Sequence, residues 1–301
     1  MIYEFALDPG VLNNWEQFRY LTEKFGVSQG RLISRYPKRW KALVYESLSD
    51  AREMEKKRIV ERLQSIDRKM QTRDNEWDDE KNWFLNAECE HARKPFHAII
   101  TRENTKQRDW VLPFEDLNEE TPLWAIQRER VIARDAASLA AAVSPLLCVA
   151  KWVIFIDPNF GPYKPRARNT LKAFLEACLT GRTGRALERV EFHTEFKPEV
   201  QDFSGECQRQ FPQRIPIGMS LRIVRWRERV GGDGLHNRYI LTDRGGVRLA
   251  WGLDEGNPTQ TDDISLLDQG LYESRLSQYC SQQPAFDLVD ELVVFGTRRL
   301  F

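Results

Sequence analysis

An excess of charge of either sign is missing from this chain: 45 Lys and Arg balance 45 Asp and Glu over 301 residues. No global field therefore draws it to nucleic acid or to an anionic membrane, and any such affinity has to come from local patches. Paired cysteines are missing too. Cys89, Cys148, Cys178, Cys207 and Cys280 lie scattered with no CxxC spacing, which argues against a zinc site and a disulfide framework and for reduced thiols in a cytoplasm. The opening stretch MIYEFALDPG has acids and no basic-then-apolar signal. The one long apolar run, 136–156, is interrupted by Pro145 and Lys151 and changes from Ala/Leu-rich to WVIFI. It reads as a helix followed by a buried strand, with no stable membrane insertion. No metal or cofactor is called for.

What is present is an ordinary globular composition, 41% apolar and 30% charged, on a chain long enough for one large domain or two modest ones. Residues 1–83 are expected to form a helical N-terminal domain. Phe18, Leu21 and Phe25 recur at helical spacing, Gly26 closes that turn, and Ser28 can cap a second helix through Leu32 and Ile33. Helix, glycine turn and helix outline a helix-turn-helix. Arg31, Arg35, Lys38 and Arg39 cluster there beside Tyr36 and Trp40, a composition that suits a nucleic-acid backbone; the same outline also suits a structural corner. Over 48–70, Ile59, Leu63, Ile66 and Met70 make one narrow apolar stripe on a long charged helix, which packs on its own domain or on a partner. Residues 71–81, QTRDNEWDDEK, read as a linker or exposed loop.

Residues 84–301 read as an α/β domain. His91-Ala92-Arg93 near its start and His97 lack accompanying acids, so both histidines read as structural. The order from there is a helix at 136–149, a strand at 152–156, a helix at 166–179, a strand at 190–196, a helix at 199–209, a strand at 220–226 and a hairpin at 236–252. Strands separated by helices give a mixed sheet flanked by helices, and the apolar tail LVVFGTRRLF completes it. Asp157 then sits at the carboxyl end of a strand, where crevices in open α/β sheets form. Arg166 and Arg168 follow it, and Arg225, Arg227 and Arg229 share one face of the strand before the hairpin. These are the candidate phosphate-binding side chains, unless they form ordinary solvated faces.

The hairpin itself carries the chemistry. In GLHNRYILTDRGGVRLAWGLDEG, RYILT and VRLAW alternate as strands around a Gly-rich turn. His236 and Arg238, two apart, point the same way in a strand and suit a phosphate. Asp243 follows at the turn as the group to fix the imidazole's tautomer. The bland alternative is a solvated surface hairpin.

His236, Arg238 and Asp243 have the spacing H-x-R-x4-D, which resembles the H-x-K-x4-D motif of the phospholipase D superfamily with Arg for Lys. The longer phrase LHNRYILTDRGGVRLAWGLD is similar to the phospholipase-D-like domain at the C-terminus of MIT-domain trafficking proteins and to its bacterial, defence-associated relatives. The run WVIFIDPNF resembles a first strand of such domains. The resemblance implies a phospholipase-D-like sheet in which His236 is the nucleophile, Arg238 holds phosphate oxygens and Asp243 orients the imidazole. The trafficking subgroup is a non-catalytic, phosphoinositide-binding version. Superfamily enzymes oppose two histidines across one phosphate, so a chain with one motif must dimerise to act as a catalyst. Arg keeps a permanent bidentate fork, which preserves phosphate recognition better than a tuned catalytic geometry. Two functions are thereby expected in order. The first is a phosphate-recognising component of a bacterial defence or conflict assembly that binds nucleic acid and a protein partner. The second is a metal-independent phosphodiesterase, a nuclease, acting as a homodimer through His236.

Overall fold

The computed structural model describes residues 1–184 and 186–299. The chain divides into two units, Met1–Arg128 and Glu129–Phe301.

The first unit contains, in order, β1 (Tyr3–Leu7), α1 (Trp15–Glu23), β2 (Arg31–Ser34), α2 (Trp40–Glu46), α3 (Glu53–Ser65), β3 (Met70–Gln71), α4 (Trp83–Arg93), β4 (Ala98–Thr101) and β5 (Val111–Pro113). Its five strands form a sheet in the order β3-β2-β1-β4-β5, every neighbouring pair parallel. Short, continuously buried runs such as RLIS and AIIT are what a sheet covered on both faces demands. Phe5, Leu7, Ile33 and Ile100 bury one face among residues of α1, α2 and α3, and Ala6, Ile99 and Phe96 bury the other with Ala87 of α4.

This corrects the expected helical domain and its boundary at 83/84. The adjacent pair Leu32-Ile33 fits both faces of a buried strand as well as it fits a helix, and the chain uses it as β2. Gly26 at φ 131° and Gly30 at φ 70° bracket a short 3-10 turn and stop any helix there. There is accordingly no helix-turn-helix between 15 and 40. Ile59, Leu63, Ile66 and Met70 are all buried in their own core, although the helix ends at Ser65. Of residues 71–81, Gln71 ends β3 and the rest are irregular but anchored. Arg73 is fully buried, 3.5 Å from Glu4, 3.1 Å from Glu90 and over the Phe96 ring at 4.0 Å.

The second unit holds β6 (Glu129–Ala133), α5 (Ala136–Leu147), β7 (Trp152–Ile156), α6 (Pro165–Leu179), β8 (Arg189–Glu195), α7 (Phe203–Gln210), β9 (Ser220–Arg227), β10 (Arg238–Thr242), β11 (Gly245–Leu249), β12 (Thr261–Leu266), α8 (Gln269–Cys280) and β13 (Asp287–Phe295). The sheet order is β13-β9-β8-β7-β10-β11-β12-β6. β7, β8 and β9 run parallel, whereas β10 opposes β7 and every later neighbour is antiparallel. The two units together make a mixed α/β protein, with the alternation of helix and strand after 136 as expected. β13 is the tail strand and lies at the sheet edge. Among the described residues no helix is long and apolar enough to cross a membrane.

Candidate functional site

The hydrogen-bonding direction of the second sheet changes between β7 and β10, and the carboxyl ends of β7 and β8 share an edge with the start of β10 and the end of β11. Crevices at such switch points are where α/β sheets take ligands. Ile156 pairs with Tyr239, so Asp157 emerges beside Arg238. Asp157 is only 4% exposed. It accepts N–H bonds from Leu253 at 2.8 Å and Asn159 at 2.9 Å, and it lies 3.9 Å from Arg238 Nε. Burial pushes its carboxyl above the usual range against the pull of those donors and of the guanidinium.

Arg238 is half-buried. Its Nη1 donates to the His236 carbonyl at 2.8 Å, and its Nε is buried without a hydrogen-bond partner, since 3.9 Å to Asp157 is an ion-pair distance only. His236 is exposed in the loop before β10, so the shared-face argument reaches Arg238 alone. The imidazole folds over Gly234, where a Cβ would stand 2.4 Å from Nε2. A side chain at that position requires the exposed imidazole to swing aside.

Asp243 is not part of this constellation. It follows the other end of β10, a strand about 13 Å long at the usual rise, and its Oδ1 accepts the Lys151 N–H at 2.7 Å, fixing the start of β7. The motif spacing counts residues, but an extended strand between its members carries them to opposite edges of the sheet. The expected contact of Asp243 with the imidazole is therefore absent.

The other expected phosphate ligands divide. Arg166 is exposed and donates to Asn257 Oδ1 at 2.8 Å, and Arg168 donates to the Pro162 carbonyl at 2.7 Å. Arg225 is 7% exposed, grips Asp290 with two hydrogen bonds, one of 2.7 Å, and lies over the Phe203 ring at 4.4 Å. It is a closed structural pair and is corrected from the candidate set. Arg227 is exposed over Phe196 at 5.3 Å, and Arg229 is paired with Asp287 at 2.7 Å. Arg225 and Arg229 are thus committed to the acids of β13 instead of converging on His236. In the first unit Arg31 is also internal, with its Nε on the Trp124 carbonyl at 3.1 Å and its guanidinium over the Trp124 ring at 4.1 Å. Arg35 and Lys38 are exposed, and Arg39 pairs with Asp79 at 3.2 Å.

Sequence reasoning missed the acids that hold the loop after β11 in place. Asp254 accepts from Arg134 Nη2 at 2.8 Å, Glu255 accepts from the Ala136 N–H and from Asn169, and Asp262 accepts the N–H groups of Ala250 and Trp251. The signal for Asp254 was in the Gly-Leu-Asp phrase: the Leu253 N–H bonds Asp157 and Asp254 bonds Arg134. The three remaining histidines are structural. His91 stacks on Trp110 at 4.2 Å and His97 on Tyr3 at 4.2 Å. His193 accepts from Trp226 Nε1 on Nδ1, so its Nε2 carries the proton to Glu191 at 2.9 Å. Burial works to raise Glu191, yet the hydrogen bond from His193 and the guanidinium groups of Arg189 and Arg222 hold it at about 2.

Neither a protein-family model nor any curated protein sequence matches the chain. A solved structure of TrmBL2, described as an archaeal chromatin protein with a novel mode of DNA binding, aligns over 57% of this chain and 57% of its own length at 10% identity and a TM-score of 0.26. So slight a likeness carries no argument about this chain.

Proposed function

We propose that the second unit is a phosphate-recognising, non-catalytic module that binds nucleic acid or another phosphate-bearing ligand through Arg238. The observation that carries this reading is the position of that guanidinium: it stands at a switch-point edge, half-buried, beside a carboxylate too distant to satisfy its Nε. A phosphate oxygen takes charge-assisted bonds from the part of the guanidinium that faces solvent, the side chain being 23% exposed. Arg166 is exposed at the start of α6 on the same edge and adds a second cation.

The nuclease alternative lacks support at the imidazole. No carboxylate among the described residues is bonded to His236, and a general base of this kind depends on such a partner to set its tautomer. A place in a bacterial defence or conflict assembly, with a protein partner, rests on the resemblance of the 235–254 phrase alone. The test of binder against enzyme is hydrolysis of single- and double-stranded nucleic acid in excess chelator, with wild type and His236→Ala side by side. No turnover by either is expected. Cleavage by wild type that disappears in the variant, from a dimer with His236 at its axis, overturns the reading.

A further inference from the structure

The most exposed aromatic side chain at this edge has no part in the fold of the unit. Trp251 is 64% exposed, a large apolar surface to leave in water. Its place is nevertheless fixed. Asp262, only 2% exposed, holds the Trp251 N–H at 3.1 Å from one carboxylate oxygen and 3.3 Å from the other. Arg134, itself locked to Asp254, lies 5.7 Å from the ring centre. The β10–β11 register pairs Arg238 with Leu249. Two residues beyond that pair, along each strand, stand His236 and Trp251. This end of the hairpin therefore carries a partly exposed guanidinium, an exposed imidazole and an anchored, solvent-facing indole on neighbouring strand ends.

We infer that Trp251 is a stacking platform for an unpaired nucleobase, so that the ligand of this edge is single-stranded nucleic acid. This rests on the phosphate reading of Arg238. A phosphate on Arg238 and a planar base on the indole are the two recognition elements that single-strand binders combine, and stacking is worth about 1–3 kcal/mol per base. A base inside a duplex has both faces covered and offers nothing to the ring. An inositol headgroup has no planar face, and an acyl chain calls for apolar anchors deeper than one indole.

The test is calorimetric titration of the full chain with three probes: a single-stranded oligothymidylate, an abasic phosphodiester chain of the same length, and vesicles containing a phosphoinositide. The oligothymidylate is expected to bind about tenfold tighter than the abasic chain. Trp251→Ala removes that difference, Trp251→Phe keeps most of it, and Arg238→Ala weakens both chains. Equal affinity for the two chains, unchanged in Trp251→Ala, overturns the stacking inference. If Arg238→Ala still weakens both, the phosphate reading stands without it; if Arg238→Ala changes neither, both fall. Vesicle binding lost in Trp251→Ala, with no preference between the chains, also overturns it and makes the ring a lipid contact.

Discussion

Arg225 and Arg238 sit on strands of one sheet, and each has an aspartate at hand, but the two pairs differ in kind. Arg225 meets Asp290 in a two-bonded fork at a hydrogen-bond distance of 2.7 Å, between aromatic rings. Arg238 stands 3.9 Å from an Asp157 whose oxygens are already taken by the backbone of Leu253 and Asn159. The first guanidinium is spent on holding β13 to β9. The second keeps donor capacity at a switch point. A carboxylate's prior commitments, more than its distance alone, decide whether a neighbouring arginine is structure or site.

That contrast orders the expected effects of substitution on stability. The largest belongs to another closed pair. Glu191 has its carboxyl held at about 2, below the ordinary glutamate value of about 4.3, so it stabilises the fold above that value and the contribution is lost as pH falls towards 2. Glu191→Gln is expected to cost up to about 3 kcal/mol at neutral pH and to flatten the acid limb of the stability–pH curve; an unchanged limb in denaturant titrations breaks the assignment. Arg225→Ala follows, at about 2–3 kcal/mol, below the loss for a fully buried broken pair because Asp290 keeps contact with water. Thermal unfolding reads this directly, and a loss no larger than that of Arg238→Ala erases the distinction between the two arginines. Asp243→Ala removes the partner of the Lys151 N–H and should cost about 1–2 kcal/mol. The smallest effect is that of Arg238→Ala, within about 0.5 kcal/mol, since its removal leaves Asp157 with both backbone donors.

Much of the second unit was legible in the sequence. WVIFI and RYILT are strands because β-branched and aromatic residues cluster between turn signals, and Asp157 could be placed at a sheet edge from its position after WVIFI. The first unit was not legible in the same way. Its strands are two to five residues long, and pairs such as Leu32-Ile33 satisfy helical spacing equally well. At the site, Arg238 was placed at a strand start, whereas His236 lies in the loop before it and Asp243 was misplaced because residue spacing says nothing of the length of an intervening strand. The closure of Arg225 depends on Asp290, 65 residues away, and the bonds of Asp254 and Glu255 reach partners more remote still. Trp251 left a signal that composition alone does not interpret: a tryptophan two residues past a strand, opposite the histidine.

The central claim is that the two ends of β10 have different work, recognition at Arg238 and structure at Asp243. Its most direct test is the affinity of Arg238→Ala and Asp243→Ala for one single-stranded oligonucleotide at fixed low salt, each corrected for its folded fraction. The account predicts a loss of roughly 10- to 100-fold for Arg238→Ala, as a charge-assisted phosphate bond of about 1.5–3 kcal/mol requires, and wild-type affinity for folded Asp243→Ala. Unchanged binding by Arg238→Ala, or binding abolished by Asp243→Ala in fully folded protein, contradicts it.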